Sequence, residues 1–225
     1  KLIPHPIKLK NGKHFSLNLP TNYDIIPAAE GFKRVRFFAK APDGRMFVTD
    51  MYDLSDNKKG TVYILDDWNA TTGKFGKVIS YMTGLKNPNS VQFYTDTNGQ
   101  DWLYIAETHQ LTRRKFNKGE IKPTSTAEIL ATFPDYGLSY KYGGWHLTRT
   151  IAVGGNGKIY VSVGSSCNAC VEKEKVRASV LEMNPDGSEQ KIYAWGLRNA
   201  VGLKWVGKFL FATNQGADHL GKNKP

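Results

Sequence analysis

Four short clusters in the sequence offer side chains or backbone that could do chemistry. His146 closes the run Gly143-Gly144-Trp145-His146, and an imidazole with an ordinary pKa of about 6.5 can take a proton near neutral pH. The competing reading is a structural or surface histidine. Arg198, in Gly196-Leu197-Arg198-Asn199, carries a fixed planar set of donors that suits a carboxylate or a developing oxyanion; alternatively it braces neighbouring elements. In Asn214-Gln215-Gly216-Ala217-Asp218, the Gly216 and Ala217 carbonyls could serve a hard cation such as calcium, with Asp218 nearby, or the run could simply be a turn. Cys167 and Cys170 are the only two cysteines. Two thiolates do not complete a four-ligand zinc site, and CNACV lacks the histidine that follows a covalent haem motif. The plain reading is a short disulfide in an oxidising compartment, with a reduced structural pair or a catalytic redox pair as alternatives.

The elements that must position these residues are strands. Helical periodicity is scarce, whereas short alternating or β-branched runs recur. They repeat as a unit of strand, Gly-containing turn, strand and polar loop, with RVRFFAKAPDGRMFVTD, NSVQFYTDTNGQDWLYIAET, TRTIAVGGNGKIYVSVGS and AVGLKWVGKFLFATNQG as the copies. Asp43-Gly44, Asn98-Gly99, Asn156-Gly157 and Gly207 mark the turns, since Asp-Gly and Asn-Gly accept the positive φ of tight hairpins. A third strand follows in the first three copies: TVYILDD, LTRRKFN and SVLEMNPDG. Small antiparallel sheets recurring roughly every 50 to 60 residues predict an all-β chain of propeller blades; a sandwich or barrel would not require self-similar blocks. Three blades and the opening of a fourth do not close a ring, so the expectation is a single incomplete propeller domain over 1–225, the N-terminal part of a longer chain or one completed by a second chain.

Composition agrees. At 40% hydrophobic content, the 225 residues can form a sizeable core. No run reaches the roughly 18 to 20 apolar residues of a membrane helix, and KLIPHPIKLK lacks the apolar centre of a signal peptide. Lys and Arg outnumber Asp and Glu by 31 to 20, giving +11. The excess is spread along the chain. Its densest part, Arg113, Arg114, Lys115, Lys118 and Lys122, reads as a solvated face and not as a nucleic-acid site, because no repeated aromatic-plus-basic stacking pattern accompanies it. Asn69-Ala70-Thr71 is a glycosylation sequon.

HLTRTIAVGGNGKIYVSVGSSCNAC, RASVLEMNPDGSEQKIYAWGLRNAVGLKW and ATNQGADHLG together resemble the soluble quinoprotein sugar dehydrogenases, most of all the branch named for L-sorbosone dehydrogenase. The likeness is dense over about residues 143 to 221 and holds only at the level of blade pattern before that. It implies a six-bladed propeller with pyrroloquinoline quinone and calcium at the channel mouth. Position by position, it implies that His146 is the base that takes a sugar hydroxyl proton. Arg198 and Asn199 match the pair that contacts the quinone, and Gly216 and Ala217 match the two carbonyl donors to calcium. It further implies a periplasmic or secreted location, a sugar, aldose or sorbosone-like aldehyde as substrate, and an external electron acceptor such as a cytochrome. Ser165 stands where the glucose-oxidising branch has an Asp, which predicts a less basic His146 or one held by another group. Further cofactor-binding basic residues of the family lie in later blades. Two other readings stay open: a calcium-dependent propeller lactonase or esterase, for which the loops offer Glu107, Asp135 and Asp218, and a non-catalytic binding module.

Overall fold

A computed structural model describes residues 1–135, 146–218 and 221. Every regular element among them is a strand: β1 (Leu2–Lys8), β2 (His14–Pro20), β3 (Val35–Lys40), β4 (Met46–Asp50), β5 (Gly60–Asn69), β6 (Lys74–Leu85), β7 (Ser90–Thr95), β8 (Asp101–Ala106), β9 (Gln110–Lys115), β10 (Glu128–Thr132), β11 (Ile151–Val153), β12 (Ile159–Val163), β13 (Ser179–Met183), β14 (Lys191–Trp195), β15 (Asn199–Val206) and β16 (Phe209–Gln215). After a two-stranded β1–β2 hairpin come three four-stranded antiparallel sheets, β3–β6, β7–β10 and β11–β14, each in sequence order, and a two-stranded β15–β16 sheet. This is the expected propeller architecture: three blades and the inner hairpin of a fourth. The third strands appear as expected, at β5, β9 and β13.

Why consecutive sheets stack is legible in β8. Leu103 and Ile105 point into one cluster with Phe47, Val62 and Ile64 of the preceding blade, while Trp102, Tyr104 and Ala106 point into another with Ile151, Val161 and Leu181 of the following blade. Successive side chains of a strand face opposite sides, so a strand covered on both faces is largely apolar; all six residues of β8 are buried, with Asp101 at its start the one charged side chain. The same holds for β12, whose Ile159, Val161 and Val163 face back and whose Tyr160 faces forward with Ala152 and Val180 against Trp205 and Leu210.

The hairpin turns differ in one respect from the sequence reading. Gly44, Gly99 and Gly157 have φ of 90°, 78° and 74°, but the Asp or Asn before each keeps negative φ. Each glycine amide donates three residues back, as Gly44 N does to Ala41 O at 2.9 Å. These are type I turns followed by a left-handed glycine, not two-residue turns with both φ positive. Asp or Asn carboxyl and amide oxygens hold the turn from inside, as where Asp43 Oδ1 accepts from Arg45 N at 3.2 Å.

A polar belt ties the inner strands together. Thr49 Oγ1 donates to Asn89 O at 2.7 Å, Asn89 Nδ2 to Arg149 O at 2.9 Å, and Thr150 Oγ1 to Val201 O at 2.6 Å. One residue from each blade thus reaches the next, which fixes where the loops at the ends of the inner strands meet. Within the basic cluster, Arg113 on β9 pairs with Glu128 at 2.7 Å and lies 4.0 Å over the Trp102 ring.

Candidate functional site

His146 leads into β11, and its backbone sits in the left-handed region at φ 56°. Three contacts fix it there. Nδ1 lies 2.8 Å from the Ser165 carbonyl; a carbonyl only accepts, so Nδ1 carries the proton and Nε2 is the acceptor nitrogen. Ser165 Oγ is 3.2 Å from the same Nδ1 but donates its own proton to Cys167 O at 2.6 Å. A Cβ on Gly164 would lie 2.5 Å from His146 Cβ and 2.8 Å from Asn199 Oδ1, so glycine is what lets strand end, imidazole and amide approach. Both sequence expectations for Ser165 bear on His146: the Ser165 backbone carbonyl, not the serine hydroxyl, takes the Nδ1 proton, and the imidazole is also less basic than usual.

Burial disfavours the imidazolium and lowers the His146 pKa from 6.5; the Arg198 and Arg149 cations act in the same direction, while the Ser165 carbonyl and Asp218 oppose it. His146 is thus neutral, and competent as a base, at pH 7. It lines a cleft of about 370 Å³ with Arg36, Leu54, Thr148, Asn199 and Gln215, contributed by the first, third and fourth blades. Asn199 is buried and opens β15, where its amide N–H donates to Asn214 Oδ1 at 2.9 Å.

Arg198 faces an adjoining cleft of about 240 Å³ together with Trp195, Leu197, Glu172 and the Cys167–Cys170 loop. The cysteines are disulfide-bonded, which sets aside the reduced structural pair among the sequence readings. Although a Glu172 oxygen lies within 4.8 Å of both sulfurs, sulfurs joined to each other are no thiolate ligands for zinc, and sulfur is a poor donor to a hard cation. The loop forms a clasp with the end of the fourth hairpin. Arg198 Nη2 pairs with Asp218 at 2.7 Å, and Arg198 Nε donates to Asn168 O at 3.1 Å. Asn168 brackets the backbone of Asp218, donating to its carbonyl at 2.7 Å and accepting from its N–H at 2.8 Å. Arg198 Nη1 is buried, with no hydrogen-bond partner among the described residues.

The structure thus brings His146 and Asn199 into one cleft, with Arg198 next to Asn199 but turned into the clasp. Gly216 and Ala217 follow directly on β16 and precede Asp218; Asn214 and Gln215 belong to β16 itself. Gly143, Gly144 and Trp145 lie outside the described residues. Of the loop carboxylates, Glu107 accepts from Lys86 N at 2.6 Å and Asp135 pairs with Lys86 Nζ, so neither is aimed at the His146 cleft.

A neutral histidine, with a guanidinium cation in the adjoining cleft, fits a ligand with anionic or carbonyl oxygens, as a quinone carries. Two consecutive carbonyls fit the oxygen preference of calcium but supply only part of the six to eight donors it takes. Arg149, Gly164 and Asn168, which hold these groups in place, carry no signal of their own in the sequence, because each acts across blades or loops.

No model of a known protein family matches the sequence. An uncharacterized protein of Borreliella burgdorferi is 24% identical over 155 residues, which is 66% of this chain and 39% of that protein. Among solved structures, the holo PQQ domain of pyranose dehydrogenase from Coprinopsis cinerea is similar, with a TM-score of 0.61 and 16% identity over 83% of this chain and 44% of the other. So is regucalcin, a calcium-binding protein from Agrobacterium tumefaciens strain C58, with a TM-score of 0.56 and 18% identity over 84% and 55%. A gluconolactonase-like structure gives a TM-score of 0.53 and 14% identity over 83% and 58%. At these identities the likeness establishes the propeller fold. The chain spans between about two fifths and three fifths of the proteins it matches.

Proposed function

We propose that the protein is a quinoprotein dehydrogenase that oxidises a sugar, aldose or sorbosone-like aldehyde. The observation that carries this reading is the His146 imidazole, held neutral with Nδ1–H on the Ser165 carbonyl, beside Asn199 in a cleft of about 370 Å³. When bound, pyrroloquinoline quinone supplies the two-electron acceptor. His146 takes the proton of the substrate hydroxyl at Nε2. Asn199 would orient the cofactor's oxygens from the cleft wall, and Arg198 would add its positive charge from the adjoining clasp. The Gly216 and Ala217 carbonyls offer oxygen donors to calcium. The similarity to a pyranose dehydrogenase PQQ domain supports this assignment.

The Cys167–Cys170 disulfide supports an oxidising location, periplasmic or secreted. No helix among the described residues is long and apolar enough to cross a membrane. Electrons pass on to an external acceptor such as a cytochrome. The β15–β16 sheet has two strands where the other blades have four, and we propose that further strands of a longer chain complete it.

A calcium-dependent lactonase is the second reading, favoured by the likeness to regucalcin and the gluconolactonase-like structure. Against it, the described residues lining the His146 cleft include no carboxylate, whereas hydrolysis at a bound calcium calls for carboxylate ligands. The test is to add quinone and calcium to the purified full-length apoprotein, separately and together, with an aldose and a dye acceptor. Activity that needs both supports the dehydrogenase. Lactone hydrolysis with calcium alone supports the second reading and removes the first.

A further inference from the structure

Arg149 is among the largest fully buried side chains, 1% exposed. Nη1 donates to His146 O at 2.6 Å and to Thr148 O at 2.9 Å, and Nη2 donates to Pro134 O at 3.2 Å. The guanidinium also lies 5.7 Å from the Phe133 ring centroid, while Nε has no partner among the described residues. A buried cation carries a large desolvation cost, and an apolar side chain of similar volume would stabilise a core better. Filling space therefore does not account for an arginine here. What the guanidinium grips is backbone: the carbonyl of a non-glycine residue in the left-handed region, which is itself unfavourable and persists only where the surroundings impose it. The grip also joins Pro134, at the end of the second blade, to the entry of the third.

We propose that Arg149 is a positioning residue for His146: by holding the His146, Thr148 and Pro134 carbonyls together, it keeps the imidazole with Nδ1–H on Ser165 and Nε2 as the acceptor. The carbonyl of His146 is held from beneath by Arg149, the ring from the side by Ser165, and Cβ stands against Gly164. Releasing the first of these frees the backbone to leave φ 56° and draws Nδ1 away from Ser165. The inference rests on the reading of His146 as a base, but its primary test does not need turnover.

The experiment is nitrogen-15 NMR of histidine-labelled protein, wild type against Arg149→Lys and Arg149→Met, read for the tautomer of His146 assigned by its loss in His146→Gln. Free imidazole favours the Nε2–H form, so an Nδ1–H signal in the wild type is a mark of imposed geometry. The expected result is a clear Nδ1–H pattern in the wild type, shifting toward Nε2–H or a mixture in both variants. Where full-length protein turns over, kcat should fall roughly 10- to 100-fold with KM changed by less than about threefold, the scale of a displaced catalytic group. Arg149→Lys keeps the charge and one donor, so it carries the test if Arg149→Met does not fold. Variants that keep the Nδ1–H pattern overturn the proposal, even if their melting temperature drops. A tautomer change in a protein without quinone-dependent activity would leave the positioning role standing and remove only the dehydrogenase reading.

Discussion

A histidine is a useful base only if one nitrogen is reliably free of its proton, and at His146 the surroundings see to this twice. The Ser165 carbonyl takes the Nδ1–H, and burial together with Arg198 and Arg149 keeps the ring from acquiring a second proton. His146→Ala should therefore lower turnover by roughly two to four orders of magnitude, measured as quinone-dependent oxidation; near-normal turnover would remove His146 from the chemistry. The pH dependence follows with a definite sign. The folded pKa lies below 6.5, so the rate should be on its plateau at pH 7 and fall only in the acid range, below 6.5. An acid limb centred above 6.5 would contradict the assignment. Stability follows the same sign: the folded state binds this proton more weakly than the unfolded one. The contribution of His146 is complete above the unfolded value of about 6.5 and is lost as pH falls through the lower folded value.

Elements decide whether such a residue stands where it can act. Gly164 ends the third blade's central strand against His146 Cβ, so Gly164→Ala should leave the blades intact by circular dichroism while lowering kcat, because the added methyl must displace the imidazole. An unchanged kcat would show that the approach tolerates adjustment. Phe47, fully buried, makes edge contacts with Tyr81, Phe93 and Phe116 between the first two blades. Phe47→Ala should cost about 3 to 5 kcal/mol in urea unfolding. Replacing both Cys167 and Cys170 by Ser opens a very short loop and should cost on the order of 2 kcal/mol, loosening the Asn168 bracket on Asp218 more than the fold. The central strands were legible in the sequence because both of their faces are buried, which writes an apolar run bounded by glycine turns. The outer strands β6, β10 and β14 and the β1–β2 hairpin were not legible. Lys191–Trp195, for instance, is mostly exposed and is a strand only because β13 pairs with it. His146 and Arg198 could be picked out as candidates by residue type, and Asn199 only through the family resemblance. The sequence was silent at Arg149, Gly164 and Asn168, whose roles exist only across blades and loops.

At the scale of the whole molecule, three blades pack in an arc through two large apolar clusters, and the residues of interest lie where the arc's inner strands converge. The fourth hairpin carries exposed Phe209 and Phe211 on a sheet of two strands, as a blade awaiting its outer strands would. The central claim is that this arc forms part of a quinone site in which His146 is the base. The measurement that tests it most directly is an absorbance titration of the full-length protein, wild type and His146→Ala, with pyrroloquinoline quinone and calcium, followed by an aldose. Stoichiometric binding to both proteins, with sugar-dependent bleaching of the oxidised quinone in the wild type and little in the variant, is the expected result. A well-folded protein that binds no quinone, or a variant that reduces it as fast as the wild type, would contradict the account.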